Sequence, residues 1–195
     1  MNIDKISTGE DFPNVVNVII EISAQSDPVK YEFDKDSGAL YVDRFVGTGM
    51  RYPCNYGFIP HTIAGDGDPV DVLVITPFPL LAGSVVACRP LGLLQMSDDG
   101  GQDAKLIAVP IDKVCLMTAH IKTLDDIPGF LKDQIKHFFE QYKSLEKGKW
   151  VKIEGWEGVE AAYTEIMNGI EKNNMEKAVA SIREVFMENE IINNK

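Results

Sequence analysis

Apolar positions recur in short β-like runs along the first 120 or so residues. These runs are rich in Val and Ile and are bounded by Gly, Pro, Asp and Ser, which is typical of strands. A hairpin loop is expected where Gly38 separates the second run from the third. Many short strands without intervening helices favour an antiparallel barrel over a doubly wound sheet. The predicted strands are Val15–Ile22, Lys30–Phe33, Ala39–Phe45, Val70–Thr76, Ser84–Leu94, Lys105–Val109 and Lys113–Met117.

The rest of the chain has helical spacing. A first helix is expected to begin at Pro128, because proline is favoured at the first helical position. Its apolar positions, three and four residues apart, are Leu131, Ile135, Phe138, Phe139, Tyr142 and Leu145. A second helix is predicted from about Val159 to Ile170, and Gly169 with Asn173-Asn174 should separate it from a third.

The third predicted helix carries one apolar stripe. Its members are Met175, Val179, Ile182, Val185 and Phe186. A short isolated helix is marginal in water, so we expect the stripe to cover its own barrel or an adjoining subunit and to take no part in chemistry. The length of 195 residues favours a single domain, 1–195, in which about 167–195 form a helical extension.

Composition narrows the function. The net charge is −11, which argues against nucleic acid or an anionic membrane as a partner. The three cysteines, Cys54, Cys88 and Cys115, form no C-x-x-C pair, which favours a reducing compartment. No secretory signal and no membrane-spanning stretch is recognisable, so a cytoplasmic protein is expected.

The segment Gly65–Val72 concentrates negative charge. Asp66, Asp68 and Asp71 fall within six residues, and two glycines allow the backbone to turn tightly. Crowded carboxylates repel one another unless a cation neutralises them, and oxygen-only ligands favour a hard ion such as Mg²⁺ or Mn²⁺. A solvated acidic turn is the alternative interpretation.

A second acidic group lies at Asp98, Asp99 and Asp103. Asp103 and Lys105 are two residues apart at a strand start, so both should face the same side. Alone, this segment is more typical of an exposed hairpin loop than of a metal site. Two such clusters in one β-rich chain nevertheless favour a multi-metal site, and such sites suit phosphoryl chemistry.

Cationic and aromatic groups could complete a phosphate site. Lys30 and Glu32 share one strand face, Glu21 is placed to point toward them, and Arg44 suits bidentate phosphate contact. Each also has a plainer interpretation, since a Lys–Glu pair usually faces solvent. Three tyrosines could also contribute, although each is more typical of a core position: Tyr52, Tyr56 and Tyr142.

Together these segments resemble the soluble family I inorganic pyrophosphatases in their bacterial form. The resemblance runs from about residue 10 to about 166 and rests on Glu21-Ile22, Asp27–Glu32, Asp43-Arg44, Tyr52–Pro60, Asp66–Val72, Asp103–Lys105, His137–Lys143 and Lys149–Trp156. It implies an α+β fold, mainly β, with a five-stranded OB-like closed barrel and C-terminal helices packed on it. Two departures are Asp99, where the family usually has Glu, and Ser23, where it usually has Pro.

The resemblance also implies a function and roles. The chain would hydrolyse inorganic diphosphate with several Mg²⁺ ions, or Mn²⁺ in their place, through a metal-bound water, and would be a homohexamer. Asp68 would accept the proton, and Asp66, Asp71 and Asp103 would hold metals with help from Asp98. Phosphate contacts would come from Lys30, Arg44, Tyr56, Lys105, Tyr142 and Lys143, supported by Glu21, Glu32 and Tyr52.

Two other functions compete with diphosphate hydrolysis. A two-metal phosphodiesterase or nuclease would need a basic or aromatic groove for its polynucleotide, which the net charge opposes. A non-catalytic OB-type binding module would leave the grouping of Lys and Arg with carboxylates unexplained. A phosphate-release assay with several substrates distinguishes the three.

Overall fold

The structure, a computed structural model, describes residues 1–35 and 37–193, with side chains described as far as residue 183. The described strands are β1 (Val16–Ile22), β2 (Val29–Phe33), β3 (Leu40–Phe45), β4 (Asn55–Phe58), β5 (Asp71–Val74), β6 (Val85–Asp98), β7 (Gly101–Gln102), β8 (Lys105–Pro110) and β9 (Val151–Gly158). The helices are α1 (Gly129–Gln141) and α2 (Val159–Asn193), with short 3₁₀ turns at Ile3–Lys5, Leu116–Thr118 and Leu124–Asp126.

Five strands close into a ring. β1 pairs with β4, β4 with β5, β5 with β8, β8 with β6, and β6 returns to β1. The predicted five-stranded, OB-like closed barrel in a mainly β fold is therefore confirmed. The expectation of a wholly antiparallel barrel was wrong, because β5 and β8 run parallel. The long β6 and the short β7 lie between them in the chain and supply the connection that a parallel pair needs.

The strand predictions failed at four places, one of which is the two-residue β7, which was not predicted. β4 and β9 were missed, since each is interrupted by glycine and β9 alternates charged with apolar residues. The strand predicted at Lys113–Met117 does not exist. A 3₁₀ turn begins there at Leu116, and Val114, Leu116 and Met117 are exposed rather than paired. Their apolar run mimics a strand in composition only.

The β2–β3 hairpin lies outside the barrel ring as a separate two-stranded sheet. Gly38 ends its loop with a φ of 64°, the left-handed conformation that glycine adopts without strain. A side chain there would also collide with the backbone of Met1. The hairpin is joined to β1 by the buried Glu21 carboxylate, which accepts a hydrogen bond from the Phe33 backbone N–H at 2.7 Å.

The barrel strands face two apolar clusters. The first includes Leu73 and Ile107 and is covered by Phe138 and Phe139 of α1. The second includes Val72 and is covered by Ala162 and Ile166 of α2. The alternation of Val72 and Leu73 between clusters is the period of two that a strand buried on both faces should show. α1 begins at Gly129, so Pro128 is the residue before the helix, not its first residue.

α2 runs without a break where two helices were predicted. Gly169 fits inside it because that position faces the barrel closely, with Val70 only 2.8 Å from where a Cβ would lie. Met175, Val179 and Ile182 are exposed, so they do not cover their own barrel, and the other predicted alternative, an adjoining subunit, stays a prediction. Val185 and Phe186 lie outside the residues whose side chains are described. Over the described residues, no helix is long and apolar enough to cross a membrane.

Candidate active site

A cavity of about 260 Å³ opens between one end of the barrel, the β2–β3 hairpin and α1. Every candidate residue except Glu21 and Glu32 lines it, and those two line an adjoining recess that shares Lys30, Tyr56, Asp68 and Asp71 with the cavity. The side chains lining the main cavity are Lys30, Arg44, Tyr52, Tyr56, Asp66, Asp68, Asp71, Asp98, Asp99, Asp103, Lys105, Phe139, Tyr142, Lys143 and Lys149.

We call the deepest part of the cavity the floor. It is formed by Tyr56 of β4, Asp71 of β5, Lys105 of β8 and Asp103, which precedes β8. The Lys105 ammonium donates to Asp71 at 2.6 Å, to Asp103 and to the Tyr56 hydroxyl at 3.4 Å. Lys105 is 3% exposed, so its charge depends on these partners. Burial alone would lower the pKa of Lys105, but the carboxylates of Asp71 and Asp103 raise it above its usual value. The floor therefore keeps a cation in the interior.

A loop at residues 65–69, which we call the rim loop, carries Asp66 and Asp68. The Asp66 carboxylate accepts from the Asp68 backbone N–H at 3.0 Å. The Asp68 side chain is 76% exposed, with Lys35 at 3.9 Å. Partial loss of water, and then the charge of Asp66, raise the pKa of Asp68. A carboxylate with a raised pKa is better matched to taking a proton near neutrality.

The turn between β6 and β7 is held by lysines from the other side of the cavity. Lys143 donates to Asp98 at 2.5 Å, and Lys149 donates to Asp99. Burial would raise the pKa of Asp98, but the hydrogen bonds from Lys143 and the Gly100 backbone lower it overall. Asp98 is therefore held as a carboxylate and stays available for a cation.

The hairpin brings two further cations to the cavity. Lys30 donates to Glu32 and lies 3.5 Å from Asp43, as expected for Lys30 and Glu32 on one strand face. Arg44 bonds Asp43 at 2.7 Å. Behind them, burial raises the pKa of Glu21 to about 8, and its hydrogen bond from Phe33 offsets this only in part.

The three candidate tyrosines are core residues and cavity-lining residues at the same time. Tyr52, Tyr56 and Tyr142 are buried in the apolar cluster under α1, yet each also lines the cavity. Tyr52 contacts Phe138 with ring centroids 4.5 Å apart, and Tyr142 stacks on Phe138 at 5.1 Å. Burial raises the pKa of Tyr56, which keeps its hydroxyl protonated and able to donate.

The donor set suits a hard divalent cation. The carboxylates of Asp66, Asp68, Asp71, Asp98 and Asp103 line one cavity, and no sulfur or imidazole ligand is among its lining residues. In the part of the chain that is described, no three of these groups converge on a single point as they stand. The Lys105 ammonium lies between Asp71 and Asp103 and supplies the positive charge that these carboxylates require.

The model of the inorganic pyrophosphatase family matches residues 18–174 of the chain. The chain belongs to that family. The inorganic pyrophosphatase of Ralstonia nicotianae is 67% identical over 170 residues, which are 87% of this chain and 97% of that protein. The Escherichia coli K12 inorganic pyrophosphatase is 58% identical over 172 residues, covering 88% and 98%.

Solved structures of inorganic pyrophosphatases support the same family membership. The inorganic pyrophosphatase of Thermus thermophilus superposes with a TM-score of 0.84 at 43% identity, covering 89% of this chain and 99% of that one. The chain is therefore a hydrolase that splits inorganic diphosphate into two phosphates, and family membership implies a divalent metal cofactor. The match also reaches residue 174, further than the sequence resemblance near residue 166 suggested.

Sequence reasoning assigned no role to several groups around the cavity. Lys149 pairs with Asp99 across 50 positions of sequence, and no local pattern links them. Lys35 lies beside Asp68 and lines the recess. Arg44 is 3.4 Å from Glu146 in addition to its Asp43 partner. The segments Asp43-Arg44 and Lys149–Trp156 were themselves part of the resemblance, which was the one available signal for Asp43 and Lys149.

Proposed function

We propose that this enzyme hydrolyses diphosphate with Mg²⁺ and that the cavity between the barrel end and α1 is its active site. One observation carries the proposal: five cationic side chains face six carboxylates inside one small cavity with a polar lining. Such a cavity suits a compact anion that arrives with metal ions, since there is little apolar surface to bury. Mn²⁺, which also prefers oxygen ligands, is expected to substitute.

Asp66, Asp71 and Asp103 are the proposed principal metal ligands, and Asp98 assists. Their positions support this assignment. Asp71 begins β5 and pairs with Phe58 of β4. Asp103 lies between β7 and β8, and its backbone N–H donates to the Met96 carbonyl at 3.0 Å. When bound, the ions supply positive charge that neutralises the phosphoryl oxygens and lowers the pKa of the attacking water. Asp71 and Asp103 would then need less positive charge from Lys105, so its ammonium could turn toward a phosphoryl oxygen.

The phosphate groups are held by Lys30, Arg44, Lys105 and Lys143, with hydroxyl donors from Tyr56 and Tyr142. Arg44 can offer two parallel N–H donors to one phosphate, and the lysines act as point charges. Lys30 and Arg44 come from the hairpin, whereas Lys143 follows α1, so the substrate is approached from two sides. Glu21, Glu32 and Tyr52 have supporting roles through their contacts with this set.

Asp68 is the proposed general base. Its carboxylate is exposed at the cavity edge, and its raised pKa brings it closer to the range in which a base works near neutral pH. Among the described residues, the cation that contacts the Asp68 carboxylate is Lys35, at 3.9 Å. A proton taken by Asp68 can therefore pass directly to bulk water.

We further propose that residues 1–195 act as one domain, that the working assembly is a homohexamer, and that it is cytoplasmic. The continuous α2 supports a single domain, because Ala162 and Ile166 pack on the barrel and Lys172 and Lys177 contact Ala64 and His61. The three free cysteines support a reducing compartment.

A parallel phosphate-release assay with diphosphate, ATP and a single-stranded oligonucleotide tests the proposed specificity. We expect release from diphosphate with Mg²⁺ and little or none from the other two. Comparable release from the oligonucleotide would favour a phosphodiesterase instead. Binding of diphosphate without release would favour a non-catalytic module.

A further inference from the structure

Carboxylates from two different segments contact the guanidinium of Arg44. Its Nη1 bonds Asp43 at 2.7 Å, and its Nε lies 3.4 Å from Oε1 of Glu146. Asp43 precedes Arg44 on β3 and therefore moves with it. Glu146 belongs to the turn that follows α1, so its contact can fix Arg44 relative to the α1 side of the cavity.

Glu146 is more buried than the residues around it. Residues 144, 145 and 147–150 are exposed, whereas the Glu146 side chain is 25% exposed. Within the part of the chain that is described, its Oε1 is shielded from solvent and has no hydrogen-bond partner. A carboxylate oxygen removed from water is costly unless a cation compensates it, and the Arg44 guanidinium lies beside this one. The position of Arg44 therefore explains how this carboxylate can be held there.

We propose that Glu146 is a positioning residue for diphosphate hydrolysis, which orients the Arg44 guanidinium before the substrate binds. The described residues that line the cavity include Arg44 but not Glu146, so Glu146 acts through Arg44 and not by contact with the substrate. The inference rests on the proposed role of Arg44 as a phosphate contact.

Arginine benefits from such support because its side chain is long and rotates about several bonds. Ordering it only when the substrate arrives would reduce the affinity. Contacts at two different nitrogens fix both the position and the plane of the guanidinium, as two parallel hydrogen bonds to one phosphate require. Burial would lower the pKa of Arg44, but the charges of Glu146 and then of Asp43 outweigh it and raise the pKa.

The contact also joins two parts of the molecule that the barrel does not join. The β2–β3 hairpin is a separate two-stranded sheet. Just after it, a Cβ placed on Gly47 would lie 3.6 Å from the Leu145 Cβ, so the two segments run side by side. The Glu146 backbone N–H donates to the Lys143 carbonyl at 2.9 Å. One turn thus carries the proposed phosphate contact Lys143 and orients a second one, Arg44.

Steady-state kinetics of Glu146→Gln with Mg²⁺ and diphosphate test the proposal. Glutamine keeps the size of the side chain and removes its charge. Because Arg44 contacts the phosphate in the ground state and the transition state alike, KM should rise about tenfold and kcat should change less than about twofold. Circular dichroism and Mg²⁺ affinity should be unchanged. Glu140→Gln, which removes a pair with Lys136 on α1, is the matched control and should keep the wild-type KM.

A double-mutant cycle with Arg44→Lys distinguishes positioning from a merely structural role. Lysine keeps the charge but has no planar guanidinium for Glu146 to orient. In the Arg44→Lys background, Glu146→Gln should therefore raise KM by less than about twofold. An equal rise of KM in both backgrounds, or an unchanged KM in Glu146→Gln alone, overturns the proposal. An unchanged KM in Arg44→Lys alone would instead contradict the phosphate contact on which the inference rests, so the two failures are distinguishable.

Discussion

The floor and the rim loop of the cavity carry the same kind of carboxylate in opposite surroundings. On the floor, Lys105 is 3% exposed and is enclosed by Asp71 and Asp103. On the rim loop, the Asp68 side chain is 76% exposed and its nearest cation is Lys35 at 3.9 Å. Groups fixed on paired strands are suited to holding ions in place, whereas a water-exposed carboxylate is suited to exchanging protons. On this difference we base the proposal that the floor carboxylates bind metal ions and that Asp68 of the rim loop transfers the proton, with Asp66 as the one metal ligand proposed on that loop.

Metal removal should have the largest effect, because both regions are proposed to act through the same ions. Protein treated with EDTA should lose diphosphate hydrolysis, and Mg²⁺ should restore it. Ca²⁺ should restore it poorly, since its longer bonds and looser coordination misplace the water. Full turnover by metal-free protein in a phosphate-release assay would contradict both proposed roles, metal binding by the floor and proton transfer by Asp68.

Matched substitutions separate the two regions. Asp68→Asn should cut turnover by roughly 10²-fold or more, as expected for a lost general base, and keep Mg²⁺ affinity within about tenfold. Asp71→Asn should instead weaken Mg²⁺ binding, because it removes a floor ligand. Turnover and calorimetric metal titration are measured on both variants. Equal loss of metal affinity in the two would refute the division.

The buried Glu21 next to the floor predicts a pH effect on stability. Its folded pKa of about 8 lies above the ordinary value of 4.5, so the folded chain holds a proton that the unfolded chain releases. The contribution of Glu21 to the free energy of unfolding is therefore most favourable at low pH. It becomes less favourable as pH rises from about 5 toward 8. Relative to Glu21→Gln, the wild type should lose about 2 kcal/mol between pH 5 and 7.

Urea unfolding in EDTA at several pH values measures that difference. Glu10→Gln, at an exposed position, is the control and should show no such trend. A wild-type stability that rises relative to Glu21→Gln over this range would contradict the burial argument.

The smallest expected effect concerns the support of the rim loop by α2. Lys172→Met removes the hydrogen bond to the Ala64 carbonyl, one residue before the rim loop. Loss of about 1 kcal/mol should speed amide exchange at residues 64–68 by about fivefold and leave the floor strand β8 unchanged. Turnover should fall by less than tenfold, and Lys5→Met is the control. Unchanged exchange at the loop would show that α2 does not support it.

Local pattern predicted strands well where Val and Ile are dense, as in β1 and β8. It failed at β4, where Gly57 must be glycine because the backbone of Ile19 passes 2.0 Å from a would-be Cβ. Such a close approach is set by a distant strand and cannot be read locally. The same holds for α2, where Gly169 indicated a helix end although the barrel surface requires a small residue inside the helix.

The cavity residues were predicted mainly by resemblance, not by physical pattern. The pairing of Asp103 with Lys105 follows from strand alternation, because the two are two residues apart. The ion pair between Lys149 and Asp99 depends on β9 and the β6–β7 turn coming together, and β9 was not predicted. Long-range contacts of this kind require the fold first.

Diffraction from crystals soaked in Mn²⁺, recorded at the manganese absorption edge, tests the division between floor and rim most directly. We predict anomalous peaks bound by Asp71 and Asp103 on the floor and by Asp66 at the cavity edge, with the Asp68 carboxylate outside the coordination shell. Manganese coordinated by Asp68, with Asp71 and Asp103 still paired to Lys105, would contradict the account.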